Sequence, residues 1–186
     1  MRALGVALAL WACAAWAHPQ GFHKKLVITV ARSELQALLV MDVDSGERCS
    51  LIRAGADSNH DGLLSPDETG ALKQRLVAMA TRSLKLAISG APLSLEVKDS
   101  KVNLRQDTRV NEAGLSVAMV YELRFSSPLT PGLRLEVEDA SPDLSTVILE
   151  VFQVPATDAG LGKPFAAEVE SGRKTSLRLG ALAEHR

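Results

Sequence analysis

Apolar and polar residues alternate with a period of two along much of the second half of the chain. The clearest segment is Leu115–Phe125, in which every odd position is apolar or aromatic, while Ser116, Glu122 and Arg124 occupy even positions. Residues two apart lie on the same face of a β-strand. This segment is therefore predicted to be a strand with one face in the core and the other mostly in solvent.

Shorter segments of the same character lie on both sides of it. Two apolar-rich runs, 24–31 and 34–43, are separated by Arg32-Ser33 and predict a β-hairpin. Further strands are predicted at 84–89, 93–98, 101–109, 133–138, 146–152, 166–170 and 175–179. The segment 101–109 is the most polar of these, which indicates an exposed or edge strand.

The period changes between residues 45 and 83. Leu72, Leu76 and Leu84 recur at the spacing of one face of an amphipathic helix. A shorter helix is predicted at about 47–56, with Gly55 in its last turn and Cys49 buried on it.

These elements predict a mainly β (α+β) fold, an antiparallel β-sandwich with a helix–loop–helix segment inserted at about 45–84. Residues 18–186 would form one domain. The alternative is two small domains, but two early strands alone do not make a stable unit.

Residues 1–17 have the pattern of a secretory signal peptide. Arg2 precedes a nearly continuous apolar run, and Ala15-Trp16-Ala17 places small residues at the positions that signal peptidase prefers, with cleavage before His18. The run is shorter than the roughly 20 residues of a membrane-spanning helix, and no later segment approaches that length. An uncleaved anchor, or a lipid anchor on Cys13, is the alternative. The expectation is a periplasmic or secreted protein with no membrane span after cleavage.

Composition narrows the function classes. The net charge of −1 provides no basic excess for nucleic acid, and 46% apolar residues suffice for a packed core. Removing residues 1–17 would also remove both tryptophans and leave Cys49 as the only cysteine. An internal disulfide is then excluded, so the domain would depend on its core and on any bound metal.

Residues 57–68 place oxygen-bearing side chains at regular intervals before a predicted helix. They read DSNHDGLLSPDE and match D-x-[DN]-x-[DN]-G-x5-E at every defining position. Ser65-Pro66-Asp67-Glu68 is also a capping box, so the exiting helix begins inside the loop. Leu64 is expected to pack against whatever lies behind the loop.

The loop resembles the calcium-binding loop of the EF-hand family. That resemblance implies one Ca²⁺ ion, a sharp turn at Gly62, and the ligands Asp57, Asn59, Asp61, Leu63 (through its backbone carbonyl), Ser65 and Glu68. Sensor EF-hands come in pairs, whereas this chain has one loop. Extracellular EF-type modules bind calcium at about 10⁻⁴–10⁻³ M, and a structural role is therefore expected.

A second metal site is a separate hypothesis. Cleavage before His18 would expose an amine and an imidazole on one residue, to which His23 could add a third nitrogen. Nitrogen ligands suit copper or nickel, and the terminus resembles a copper histidine brace at its first residue. The alternative is a solvated terminus.

The layout of the whole chain resembles small bacterial periplasmic proteins, some of them associated with nickel/cobalt permeases. The resemblance lies in His18-Pro19, the 57–68 loop, and a strand-rich tail through Glu138-Asp139 and Phe152. It implies a protein partner in the cell envelope.

No catalytic motif accompanies these features. The chain lacks G-x-S-x-G, P-loop, G-x-G-x-x-G and H-E-x-x-H patterns, and Glu136, Glu138 and Asp139 are assigned to the outer face and exit of a strand. The sequence therefore predicts a calcium-binding exported accessory or binding protein rather than an enzyme. The alternative is a periplasmic copper or nickel handling protein.

Overall fold

The computed structural model describes residues 22–105, 107–142, 145–156 and 163–183, and in these ranges the chain is mainly β, with two sheets and two helices. The predicted signal peptide, 1–17, and His18 lie outside the described residues. The mainly β, α+β class predicted from the sequence is confirmed.

The larger sheet has six strands in the order β5-β6-β2-β1-β8-β9. They are β1 (Phe22–Val30), β2 (Glu34–Val43), β5 (Val97–Asn103), β6 (Leu115–Arg124), β8 (Thr146–Gln153) and β9 (Phe165–Glu170). The predicted hairpin is confirmed, since β1 and β2 pair antiparallel with Leu26 opposite Leu39. β2 then pairs with β6 along its whole length.

The smaller sheet has four strands in the order β10-β7-β3-β4. They are β3 (Leu84–Ile88), β4 (Ala91–Pro92), β7 (Arg134–Asp139) and β10 (Lys174–Arg178). The helices α1 (Glu47–Ala54) and α2 (Pro66–Ser83) lie between β2 and β3 in the chain, where the helix-period pattern predicted them.

Buried side chains of both sheets and of α2 belong to one apolar cluster. Strand β6 contributes Leu115, Val117, Met119 and Tyr121, all fully buried, so the period-two pattern of this strand is confirmed. Helix α2 contributes Leu72, Leu76 and Ala80. Cys49 is fully buried as predicted; its thiol donates to the carbonyl of Asp44 at 3.2 Å, and burial raises its pKa.

The prediction of an entirely antiparallel arrangement is wrong at one place. β1 and β8 are parallel neighbours, with Lys24 opposite Val147 and Val30 opposite Gln153. Parallel neighbours require a crossover connection, and the long stretch of chain between these two strands provides one.

Two predicted strands, 93–98 and 101–109, are also placed wrongly. A single strand, β5, occupies Val97–Asn103, and its register with β6 shifts between Val97 and Asp99. A β-bulge accommodates an extra residue without ending a strand, so the polar pair Asp99-Ser100 does not interrupt β5.

The assignment of Asp139 to a solvent-facing strand exit is wrong. Its side chain is 2% exposed and accepts a hydrogen bond from the ammonium of Lys24 at 2.9 Å. Lys24 belongs to β1 and Asp139 to β7, so this ion pair joins the two sheets. Glu136 and Glu138 do lie on the outer face, where they pair with Lys174 and Lys85.

Candidate metal centre

The 57–68 loop leaves α1 and enters α2, and both helix ends fix its geometry. At the exit of α1 the amide of Asp57 donates to the carbonyl of Arg53 at 3.1 Å. At the entry of α2 the predicted capping box is confirmed. The amide of Glu68 donates to Ser65 Oγ at 3.3 Å, and the amide of Ser65 donates to Glu68 Oε2 at 3.0 Å.

Glu68 is the best-connected carboxylate of the loop. Besides the Ser65 amide, it accepts hydrogen bonds at Oε1 from the Ser58 amide at 2.8 Å and the Ser58 hydroxyl at 2.7 Å. These bonds, that of the Ser65 amide above all, lower the pKa of Glu68 to about 2. The group is therefore a carboxylate at neutral pH and joins the two ends of the loop.

The middle of the loop turns through two residues in the left-handed region, His60 at φ 58° and Gly62 at φ 80°. Glycine adopts such a conformation without the steric cost of a Cβ, which explains its place at the sixth loop position. Asn59 Oδ1 accepts from the Asp61 amide at 3.0 Å, and Asp61 Oδ1 accepts from the Leu63 amide at 2.8 Å.

Asp57 has one carboxylate oxygen with no hydrogen-bond partner. The side chain is 6% exposed. Its Oδ2 accepts from the Gly62 amide at 3.0 Å. Its Oδ1 is the one buried side-chain oxygen or nitrogen that lacks a partner in the part of the chain that the structure describes. A buried anionic oxygen without a partner is costly, and a cation is the group that compensates it best.

The structure does not bring the three carboxylates together as a ligand cluster. Among the described residues, no group of three or more histidine, cysteine, aspartate or glutamate side chains is placed to hold a metal ion. The carboxylates of Asp57, Asp61 and Glu68 bond to loop amides instead. The other three expected ligands, Asn59, Leu63 and Ser65, would offer an amide, a backbone carbonyl and a hydroxyl oxygen. An all-oxygen set that includes the unpartnered Asp57 oxygen fits a hard cation such as calcium.

A second segment of the chain lies behind the loop and pairs with it. The amide of Leu64 donates to the carbonyl of Thr108 at 2.7 Å, and the amide of Val110 donates to the carbonyl of Gly62 at 2.8 Å. Leu63 and Arg109 thereby form an isolated antiparallel bridge. Leu64 is 3% exposed, so its predicted packing behind the loop is confirmed.

Arg53, on α1, ties this backing segment to the helices. Its side chain is fully buried, and its guanidinium donates to five backbone carbonyls, those of Leu104, Asp107, Arg109, Ala113 and Gly114. Burial lowers the pKa of Arg53, because desolvation disfavours the charged form. Asp107 orders the same segment by accepting from the side chains of Arg109 and Asn111, and these contacts hold its pKa below the ordinary value.

The second predicted metal site is described only in part. His18 lies outside the described residues. His23 is in β1, and its Nε2 lies 2.7 Å from Oδ2 of Asp44, with the imidazole 66% exposed. His60, in the loop, is exposed.

Three contributions to the loop were missed from the sequence, namely Ser58, Arg53 and the segment 107–110. Ser58 stands at a variable loop position, so no motif marks it. Arg53 follows Cys49 by four residues and therefore shares its helix face, a signal that apolar periodicity alone does not reveal.

The chain matches no protein-family model, and no curated protein is significantly similar to it. Neither described helix combines the length and the apolar character required to cross a membrane.

Proposed function

We propose that the 57–68 loop binds one Ca²⁺ ion and that the ion stabilises an exported accessory or binding protein. The observation that carries the proposal is Asp57 Oδ1, which is buried without a hydrogen-bond partner in a loop whose other candidate ligands all offer oxygen. The ligands would be Asp57, Asn59, Asp61, Ser65 and Glu68, with the backbone carbonyl of Leu63. Export follows from the signal-like pattern of residues 1–17.

In this proposal the two sheets form a β-sandwich into which an EF-hand-type segment is inserted. The shared apolar cluster supports the sandwich, because it draws buried side chains from both sheets. The pairing of Leu63 with Arg109 supports the insertion, because it gives a single loop a backing segment from its own chain. Such a loop needs no second EF-hand.

A structural role for calcium follows from the affinity expected of an exported module. With calcium at about ten times the dissociation constant, binding stabilises the folded state by RT ln 11, about 1.4 kcal/mol. That gain assists a domain without an internal disulfide, but it is small for a conformational switch. For a domain of this size it corresponds to a rise of roughly 3–6 °C in melting temperature.

The proposal is tested by melting the purified protein in calcium and in chelator, alongside Glu68→Gln and the control Asp67→Asn. Glu68→Gln keeps one amide oxygen for the capping box but removes the charge, and it should abolish the calcium-dependent rise. Asp67→Asn removes a charge one residue earlier, at an exposed position outside the ligand set, and it should retain the rise. Equal melting temperatures of the unaltered protein with and without calcium would contradict the proposal.

Metal selectivity is tested by equilibrium dialysis against calcium, copper and nickel, followed by elemental analysis. The proposal expects one equivalent of calcium, lost in Glu68→Gln. Stoichiometric copper or nickel that is lost in His18→Ala would instead support the transition-metal alternative.

A further inference from the structure

A groove of about 740 Å³ lies between helix α2 and the end of the larger sheet at which β1 begins. Its apolar lining includes Phe22 of β1, Met41 of β2 and Met79 of α2. It shares no lining residue with the 57–68 loop, so it constitutes a separate site. Its volume is in the range of clefts that enclose a small molecule.

The charged residues of the groove are all cationic. Lys24, Arg48, Arg75 and Arg82 line it, and no aspartate or glutamate does. The chain as a whole has a net charge of −1, so this sign is a local feature. A cleft with apolar walls and charges of one sign concentrates the electric field and attracts ions of the opposite sign.

Two of these cations already have partners within the fold. The ammonium of Lys24 donates to Asp139 at 2.9 Å and to the hydroxyls of Ser141 and Ser145. The guanidinium of Arg75 donates to the carbonyl of Gly55. Both residues therefore contribute more to structure than to binding.

The other two, Arg48 and Arg82, form no ion pair with any carboxylate of the described residues. Arg48 lies over the ring of Phe22, 5.2 Å from its centroid, in a cation–π contact. Arg48 and Arg82 are thus available to an anion from outside the chain.

Ser141, beside Lys24, does not make the groove a nucleophilic site. Its hydroxyl donates to Asp139, and Lys24 donates to the same carboxylate, so the three groups form one hydrogen-bonded cluster. A serine nucleophile requires an adjacent base that accepts its proton. The cluster of Lys24, Asp139 and Ser141 therefore has a structural role at the floor of the groove.

We propose that this groove binds a small amphipathic anion, a carboxylate or phosphate head group on an apolar body. The head group would lie against the guanidinium groups of Arg48 and Arg82, whose planar donors match both kinds of oxyanion. The apolar body would pack against Phe22 and Met79. Methionine adapts to ligands of different shape, so selectivity resides in the head group.

Isothermal titration calorimetry with decanoate, decyl phosphate and decanol tests the proposal on the purified protein. Saturable one-to-one binding of either anion, with decanol at least tenfold weaker, is the expected result, and the stronger of the two anions identifies the head group. Arg82→Met and Arg48→Met should each weaken binding by about tenfold or more, the loss expected for one charged hydrogen-bonding partner. Arg134→Gln, an exposed arginine on the smaller sheet, should leave binding unchanged.

A second variant keeps the test independent of charge. Ala71 is an exposed groove residue on α2, so Ala71→Trp should fill the groove without disturbing the fold, and it should abolish binding of both anions. The proposal is overturned if decanol binds as tightly as the anions, if neither anion binds, or if both arginine variants bind normally. Sedimentation that shows a dimer dispersed by Ala71→Trp would also overturn it, because a second copy would then cover the groove.

Discussion

Arg53 is a fully buried cation whose hydrogen bonds go to backbone carbonyls rather than to a carboxylate. The cost of desolvating a guanidinium is offset here by five carbonyl acceptors arranged around its planar fork. Two of those carbonyls, of Asp107 and Arg109, belong to the segment that backs the 57–68 loop, and the other three flank it. Arg53 therefore helps to fix that segment against the loop.

Lysine cannot replace Arg53 at this position. Arg53→Lys keeps the charge but offers three donors at one point, so several of the five carbonyls lose their partner. We expect the free energy of unfolding to fall by about 3 kcal/mol or more, as for other buried charged networks. Urea denaturation measures the change. Arg173→Lys, in the exposed turn before β10, should stay within about 0.5 kcal/mol. Equal losses in the two variants would show that the carbonyl contacts of Arg53 do not stabilise the fold.

The loop and its backing segment form one structural element, although the sequence separates them. Loop residues Gly62 and Leu64 exchange backbone hydrogen bonds with Thr108 and Val110. A cation that holds the loop must also hold this segment, since the amides and carbonyls are shared. The effect of calcium binding should therefore be measurable at residues that do not contact the ion.

Hydrogen exchange provides that measurement. With calcium at about ten times its dissociation constant, the amides of Leu64 and Val110 should exchange about tenfold more slowly than in chelator. The amide of Phe125 donates to Ser33 at the far end of the sheet, away from the loop, and we expect its exchange rate to change little. Equal slowing at all three amides would mean that calcium stabilises the fold without acting through the backing segment. Glu68→Gln should remove the effect at Leu64 and Val110.

Local patterns predicted most elements of this fold, but not the contacts between them. The period-two pattern identified β1, β2, β6 and β8, and the capping box placed the start of α2 at Pro66. The sequence contains no equivalent signal for the parallel pairing of β1 with β8 or for the backing of the loop by 107–110. Both depend on residues far apart in the chain, which only the packed core brings together.

The buried Lys24–Asp139 ion pair could have been predicted from strand periodicity, although the charge of both residues argues against burial. Lys24 has the same strand phase as Leu26 and Ile28, and Asp139 has the same phase as Val137. Period two places both side chains on the core face, yet a charged residue at a strand end is usually assigned to solvent. Two opposite charges that both lie on the core-facing side of their strands are therefore expected to form an ion pair with each other.

At the scale of the whole molecule, the Lys24–Asp139 pair joins one sheet to the other. Both side chains are less than 5% exposed, and Asp139 also accepts from the hydroxyls of Ser141 and Ser145. Removing one member of a buried pair leaves the other charge uncompensated, at a cost of about 3–5 kcal/mol. Lys25 is the next residue of the same strand, and its exposed pair with Glu150 is a matched control.

Asp139→Asn should therefore lower the free energy of unfolding by about 3 kcal/mol or more, whereas Lys25→Met should change it by less than about 1 kcal/mol. Urea unfolding followed by far-ultraviolet circular dichroism and by Tyr121 fluorescence measures both. Tyr121 is fully buried in the larger sheet, so coincident transitions would show that the sheets still unfold together. If the pair is required to hold the two sheets together, the circular-dichroism and fluorescence transitions of Asp139→Asn should no longer coincide. A stability loss no larger than that of Lys25→Met would mean that apolar packing alone joins the sheets.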